Sequence, residues 1–211
     1  MVTVTASELK TAKTIRLLTP ERCSGTTELT AARIARRERI VNAATSLAFQ
    51  GYDACQIRAV AATAGMSAST VYQYFPSKDD LLLACFYEWL WDFETEYRCA
   101  TSGTDLFQRL RQVALALTGR LCSSPHFAEA MVRPYLYADG TAATQADRVR
   151  RQIVGIFIGS VGQGISASNG TGAAEILSDV WMSNVAAFAQ QRITLGEVSE
   201  RLTRTVRLLE R

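Results

Sequence analysis

A single histidine, His126, stands among 211 residues, and that scarcity removes several chemistries at once. A Cys/His zinc site lacks its ligands, and a Ser-His-Asp triad would have only His126 as its base. His126 follows Pro125 at an expected helix start, which reads as a surface or core position. The five cysteines (Cys23, Cys55, Cys85, Cys99, Cys122) are odd in number, scattered and never spaced C-x-x-C. That pattern argues against a disulfide framework. They read as small hydrophobes in a reducing compartment, with a thiol redox sensor left open because Cys23 and Cys99 each adjoin an arginine. No apolar run approaches the roughly 20 residues of a membrane span, so no membrane partner is expected. Met1 to Lys10 lacks the basic start and apolar stretch of a signal peptide, and the chain is expected in the cytoplasm. Repeats and paired strand patterns are also missing. The fold class expected is all-α.

What is present is an ordinary globular composition, 48% hydrophobic and 20% charged, with a charge that is unevenly placed. From Thr30 to Lys78 six basic residues (Arg33, Arg36, Arg37, Arg39, Arg58, Lys78) face two acidic ones (Glu38, Asp53). Beyond Lys78 the two signs nearly cancel. An excess of positive charge in the N-terminal third suits a phosphate-bearing partner, although a solvated helix face looks the same. Residues 1–29 read as a flexible basic arm in which Lys10, Lys13, Arg16 and Arg22 could meet phosphates, or as a tail without contacts.

Residues 30–77 carry a helix-turn-helix pattern. Ile34, Ile40, Val41, Ala44, Leu47 and Ala48 form one helical stripe closed by Gly51. A short helix follows from Ile57 to Ala64, then the turn Gly65-Met66-Ser67, then a second short helix from Ala68 to Phe75 with Ser67 as its cap. Pro76 stops it, and Ser77 to Asp80 opens a long helix carrying Leu81, Leu82, Cys85, Trp89, Phe93 and Tyr97. In a major groove, Arg58 could donate a fork of hydrogen bonds to guanine. Gln73 could pair with adenine or point at a phosphate, and Tyr72 could cover a thymine methyl. Ala68 and Ser69 are short enough to bring backbone near base edges. Thr70, Tyr74 and Lys78 suit phosphates, which fix register without reading sequence. Phe75 reads as core.

The stretch Ile57 to Lys78, ending Tyr72-Gln-Tyr-Phe-Pro-Ser-Lys78, resembles the DNA-binding signature of the TetR family over about 50 residues. The resemblance implies a three-helix DNA-binding domain joined to a helical ligand-binding and dimerisation domain, here 78–211. It places DNA-contact roles on Arg58, Ser67, Ala68, Ser69, Thr70, Tyr72, Tyr74 and Lys78. Ser69 departs from the glycine common in the family. Glu129 to Asp139, Ser178 to Asn184 and Val198 to Leu209 further resemble the branch of the family that represses sterol catabolism in actinobacteria. That branch implies release from operator DNA by CoA thioesters of sterol-derived acids.

The C-terminal half shows no reaction chemistry, and no cofactor is expected. Helices are expected over about Thr104–Cys122, Pro125–Ala138, Thr144–Gly164 and Ala173–Arg192, with a break at Asn169-Gly170. A capping box Thr194 to Glu197 opens the last helix. Gly159 to Ser166 lacks the lysine of a phosphate loop, so its glycines read as packing sites, with Gly155 and Gly159 on one face admitting a neighbouring helix. Trp89, Phe93, Met131, Tyr135, Trp181 and Asn184 are candidates to line a tunnel for a small apolar effector, a steroid or an acyl-CoA thioester. Leu195, Val198, Leu202, Val206 and Leu209 recur at helical spacing, ready for another helix. With Val180, Val185 and Phe188, the resemblance makes them a homodimer interface. The expected partner is then a palindromic double-stranded operator. An enzyme, or a nucleoid-type protein without sequence preference, remains the alternative class.

Overall fold

The computed structural model describes residues 31–97, 105–161 and 167–210. The arm, Cys23 and Cys99 lie outside the described residues. Among those residues there are nine α-helices and a 3-10 turn, with no strand. The helices are α1 (Ala31–Ala48), α2 (Ile57–Ala64), α3 (Ala68–Tyr74), α4 (Lys78–Tyr97) and α5 (Leu106–Leu121). They continue as α6 (Pro125–Leu136), α7 (Gly140–Val161), α8 (Ala167–Ala189) and α9 (Leu195–Leu209). The 3-10 turn, Tyr52–Ala54, follows Gly51, whose φ of 108° only glycine adopts easily.

Local chemistry explains most of the boundaries. Asp105 accepts from the Gln108 amide at 2.9 Å and Ser124 from the Phe127 amide at 3.3 Å, each satisfying an orphan donor of a first turn. Thr194 and Glu197 form a full capping box on α9. Ser77 accepts from the Asp80 amide at 3.0 Å, and its hydroxyl donates to Asp80 Oδ2 at 2.7 Å. Asp80 is buried, and the Thr141 hydroxyl at the start of α7 donates to it as well, at 3.3 Å. The carboxylate is therefore not left unsatisfied.

Helix α4 organises the molecule. Every residue from Asp80 to Phe86 is buried, more than a full turn, so the helix is enclosed on all sides there. It packs on α1, α6 and α7. The buried core runs unbroken from Ile40 to Val206, so the DNA-reading head and the helical body share it through α4. Among the described residues no helix is long and apolar enough to cross a membrane.

Four expectations change. Helix α7 starts at Gly140, four residues ahead of Thr144. Helix α8 starts at Ala167 and runs through Asn169-Gly170, where a break was expected. A Cβ on Gly170 would lie 2.7 Å from Val161 Cγ1, so this glycine permits close approach rather than ending a helix. Gly155 and Gly159 are exposed, and nothing lies within 4 Å of a Cβ on Gly155, so among the described residues no helix approaches closely at Gly155.

The fourth correction concerns α9. Val198, Leu202 and Val206, expected on a subunit interface, are at most 3% exposed within the single chain. Helix α9 packs on α5 and α8, which consume its apolar stripe. Val185 on α8 is fully buried too, whereas Val180, Phe188 and Leu209 are half-buried.

Candidate nucleic-acid interface

The head reads from its turn outward. Gly65 adopts φ 64° and ψ 44°, a left-handed cap that bonds back to Ala61 and Ala62 and ends α2. The Met66 amide donates to Ala61 O at 2.9 Å, closing the turn. Arg39 on α1 donates to Ala64 O at 2.6 Å, so its charge serves the C-terminal end of α2. Ser67 then caps α3, accepting from the Thr70 amide at 3.1 Å.

Helix α3 is two-faced. Val71 and Phe75, four residues apart, are buried, and Ala68 packs half-buried beside them. Ser69, Tyr72 and Gln73, at positions i, i+3 and i+4, form the exposed edge. Tyr72 is 54% exposed although a large aromatic gains from burial, so the fold holds it out in solvent. Arg58 on α2 and Ser67 are exposed, and Thr70 is half-buried. Ala68 thus belongs more to packing than to the probe.

Two expected phosphate contacts sit differently. Tyr74 is half-buried with the Arg33 guanidinium 5.9 Å from its ring centroid. The Lys78 ammonium lies 3.5 Å from the Tyr52 ring centroid, turned toward the 3-10 turn. Burial lowers its pKa, and the nearby Arg133 charge acts in the same direction. Arg37 pairs with Glu88 and lies over the Phe75 ring. Of the six basic residues, Arg33, Arg36, Arg39 and Arg58 are exposed and Arg37 and Lys78 half-buried, yet Arg37, Arg39 and Lys78 each have a partner inside the head. Composition could not separate these two roles, because both use the same residue types at similar spacing.

Tyr52 was missed in the sequence. Its hydroxyl donates to Asp79 Oδ1 at 2.7 Å, and the Arg133 guanidinium from α6 lies 4.2 Å from its ring centroid. Burial, helped by the Asp79 hydrogen bond, pushes its pKa to about 12. Its position directly after a glycine was the available signal; the partners are 27 and 81 residues away and left no pattern.

The six candidate ligand residues are committed to packing. Trp89 and Phe93 join an aromatic run along α4, with Phe86 and Trp89 at 6.2 Å and Phe93 stacked on Tyr97 at 5.2 Å. Phe127 of α6 closes on Trp89 at 6.0 Å, and Arg120 lies over both Trp89 and Phe93. Trp181 is fully buried, tilts against Phe157 and donates to the Thr118 hydroxyl at 3.0 Å. Asn184 donates to Val180 O within its own helix at 2.8 Å. Met131 is fully buried and Tyr135 half-buried. A cleft of about 510 Å³ between head and body is lined instead by Tyr52, Asp79, Glu129, Arg133, Tyr137 and Gln190, among others, and by none of the six. Among the described residues no group of His, Cys, Asp and Glu could hold a metal ion.

Comparison with known proteins agrees with this geometry. Residues 40–85 match the family described as bacterial regulatory proteins, tetR family, and residues 103–209 match the tetracyclin repressor-like C-terminal domain. The chain is 37% identical over 177 residues to the HTH-type transcriptional repressor KstR of Mycobacterium tuberculosis, covering 82% of this chain and 80% of that one. It is 36% identical to KstR of Mycolicibacterium smegmatis, covering 82% and 86%. A TetR transcriptional regulator from Rhodococcus superposes with a TM-score of 0.75 at 23% identity, over 84% of this chain and 97% of that one. The transcriptional regulator FadR of Bacillus subtilis, solved in complex with stearoyl-CoA, shares the fold at a TM-score of 0.58 and 17% identity, over 80% of this chain and 96% of that one. The head built on Gly65 and the helical body around α4 correspond to these two matched domains, the curated relatives are transcriptional repressors, and the chain belongs to the TetR family.

Proposed function

We propose that the protein works in the cytoplasm as a dimeric repressor of lipid or sterol catabolism genes. It binds a palindromic operator and leaves it when an apolar effector, a steroid or an acyl-CoA thioester, binds the body. The observation that carries the DNA part is the exposed edge Ser69, Tyr72 and Gln73, anchored from behind by Val71 and Phe75. The effector class rests on the resemblance to sterol-catabolism repressors and on FadR, whose structure holds stearoyl-CoA.

Subunit pairing is supported by a face of the α8–α9 hairpin. Ile176 lies 13 residues before the end of α8, and Leu208 lies 13 residues after the start of α9. In an antiparallel hairpin the two are therefore level. They are 52% and 63% exposed, and Val180 and Thr205 follow one turn along, half-buried. This face, rather than the buried stripe of α9, meets a second copy across a two-fold axis. Two α3 helices then sit roughly 34–36 Å apart, one turn of DNA or a multiple of it.

Effector binding couples to DNA only through a difference in affinity between two shapes of the body. Trp89, Phe93, Met131, Tyr135, Trp181 and Asn184 are packed, so a ligand seated among them has to open that packing. The test is an electrophoretic shift on the DNA upstream of the protein's own gene, with and without steroid and fatty acyl-CoA thioesters. A shifted band that one of these thioesters dissolves is the expected result. Binding with no sequence preference, or turnover of a thioester, refutes the proposal.

A further inference from the structure

The proposed repressor needs its head held at a defined angle to the body, and the inference below rests on that reading. We propose that Tyr52, Lys78, Asp79 and Arg133 form a clamp that positions the head, and that Lys78 acts through Tyr52 rather than on a DNA phosphate. The Tyr52 ring takes two cations from different elements, the Lys78 ammonium at 3.5 Å and the Arg133 guanidinium at 4.2 Å from its centroid. Its hydroxyl donates to Asp79 at 2.7 Å. One side chain thereby ties the turn leading into α2, the first turn of α4, and α6 of the body. A cation over an aromatic face is attracted by the ring quadrupole, and more strongly where water is partly excluded.

Helix α6 meets the head at both ends. Phe127, in its first turn, stacks on Phe49 beyond α1 with ring centroids 4.5 Å apart. Arg133, six residues on, is about 9 Å further along the axis. Beside these contacts opens the 510 Å³ cleft, with Tyr52 on one side and Glu129 and Arg133 on the other, so packing alone does not fill the joint there. Pro134 follows Arg133 inside the helix and has no N–H to offer the Ala130 carbonyl, which leaves the last turn free to bend. Buried Met131 and half-buried Tyr135 stand on the same helix as Glu129 and Arg133, which pair at 3.6 Å along the cleft. A tilt about Phe127 moves Arg133 off the tyrosine and releases the turn before α2.

The test uses the full chain and an operator duplex selected by the wild-type protein from random DNA. Arg133→Met and Lys78→Met keep a flexible unbranched apolar stem without the charge, and Arg133→Lys restores a cation. The expected result is operator binding weakened about 10-fold in both Met variants, with the slope of log K against log salt unchanged. Hydrogen exchange should rise over residues 52–74 in both, and Arg133→Lys should return most of both effects. A lost phosphate contact would instead lower the slope by about 0.9, and that outcome for Lys78→Met overturns the proposal. Unchanged exchange over 52–74 in Arg133→Met overturns it equally. If the wild-type protein selects no operator, the repressor reading falls, while the exchange measurement still decides the clamp.

Discussion

Leucines 202 and 208 stand six residues apart on α9 and should fail in opposite ways. Leu202 is fully buried within the chain, whereas Leu208 is 63% exposed. Leu202→Ala removes buried methyl groups and leaves a cavity between α9 and its neighbours α5 and α8, a change that costs about 2–5 kcal/mol. For a chain of this size, about 3 kcal/mol lowers the Tm by roughly 6–12 °C. Leu208→Glu forfeits little burial in the single chain, so its intrinsic stability should move by less than about 0.5 kcal/mol. Its carboxylate would nevertheless meet its twin or a neighbouring apolar patch across the proposed two-fold axis. The assay is thermal unfolding at several protein concentrations alongside sedimentation equilibrium, because association raises the apparent stability of a dimer. Leu202→Ala should lower the Tm at every concentration and still pair. Leu208→Glu should sediment as a monomer and lose the concentration dependence. The reverse assignment, with Leu202→Ala monomeric and stable while Leu208→Glu remains paired, would mean that α9 turns its other face inward and that the interface argument is wrong.

Four further outcomes are expected. Tyr72→Ala should leave thermal stability unchanged and weaken operator binding. Phe75→Ala, at a site 5% exposed, should cost about 3–5 kcal/mol in chemical denaturation. Ser67→Ala removes the cap of α3 and should cost about 1 kcal/mol by the same measurement, with the loss of helix confined to α3 by hydrogen exchange. Burial pushes the thiols of Cys85 and Cys122 up to about 12 and raises that of Cys55 as well. Since the thiolate is the nucleophile, iodoacetamide at pH 8 should leave all three unmodified in the folded protein and label them after denaturation, read by peptide mass spectrometry.

Much of the head was legible because its signals are local. Gly65 lets the chain turn, Ser67 caps the helix that follows, and Phe75 falls on its inner face; each requirement spans only a few residues. The capping box at Thr194 and the proline start at Pro125 were readable for the same reason. The break expected at Gly170 was wrong because a glycine signals either a turn or a close approach, and only Val161, nine residues away in sequence but touching in space, decides between them. The fate of the α9 stripe was equally undecidable, since Val198, Leu202 and Val206 show that some helix covers them without saying whether it belongs to the same chain.

Sequence alone determined the all-helical class, the order of the elements, and the short helix after Gly65 that carries the candidate contacts, since periodicity and capping are properties of short segments. Tertiary structure decided which positive charges stay outward, which apolar stripe remains uncovered, and that Tyr52 joins the head to the body. Each of those depends on partners brought together from distant parts of the chain, and the pattern around any one residue does not record who its partner will be.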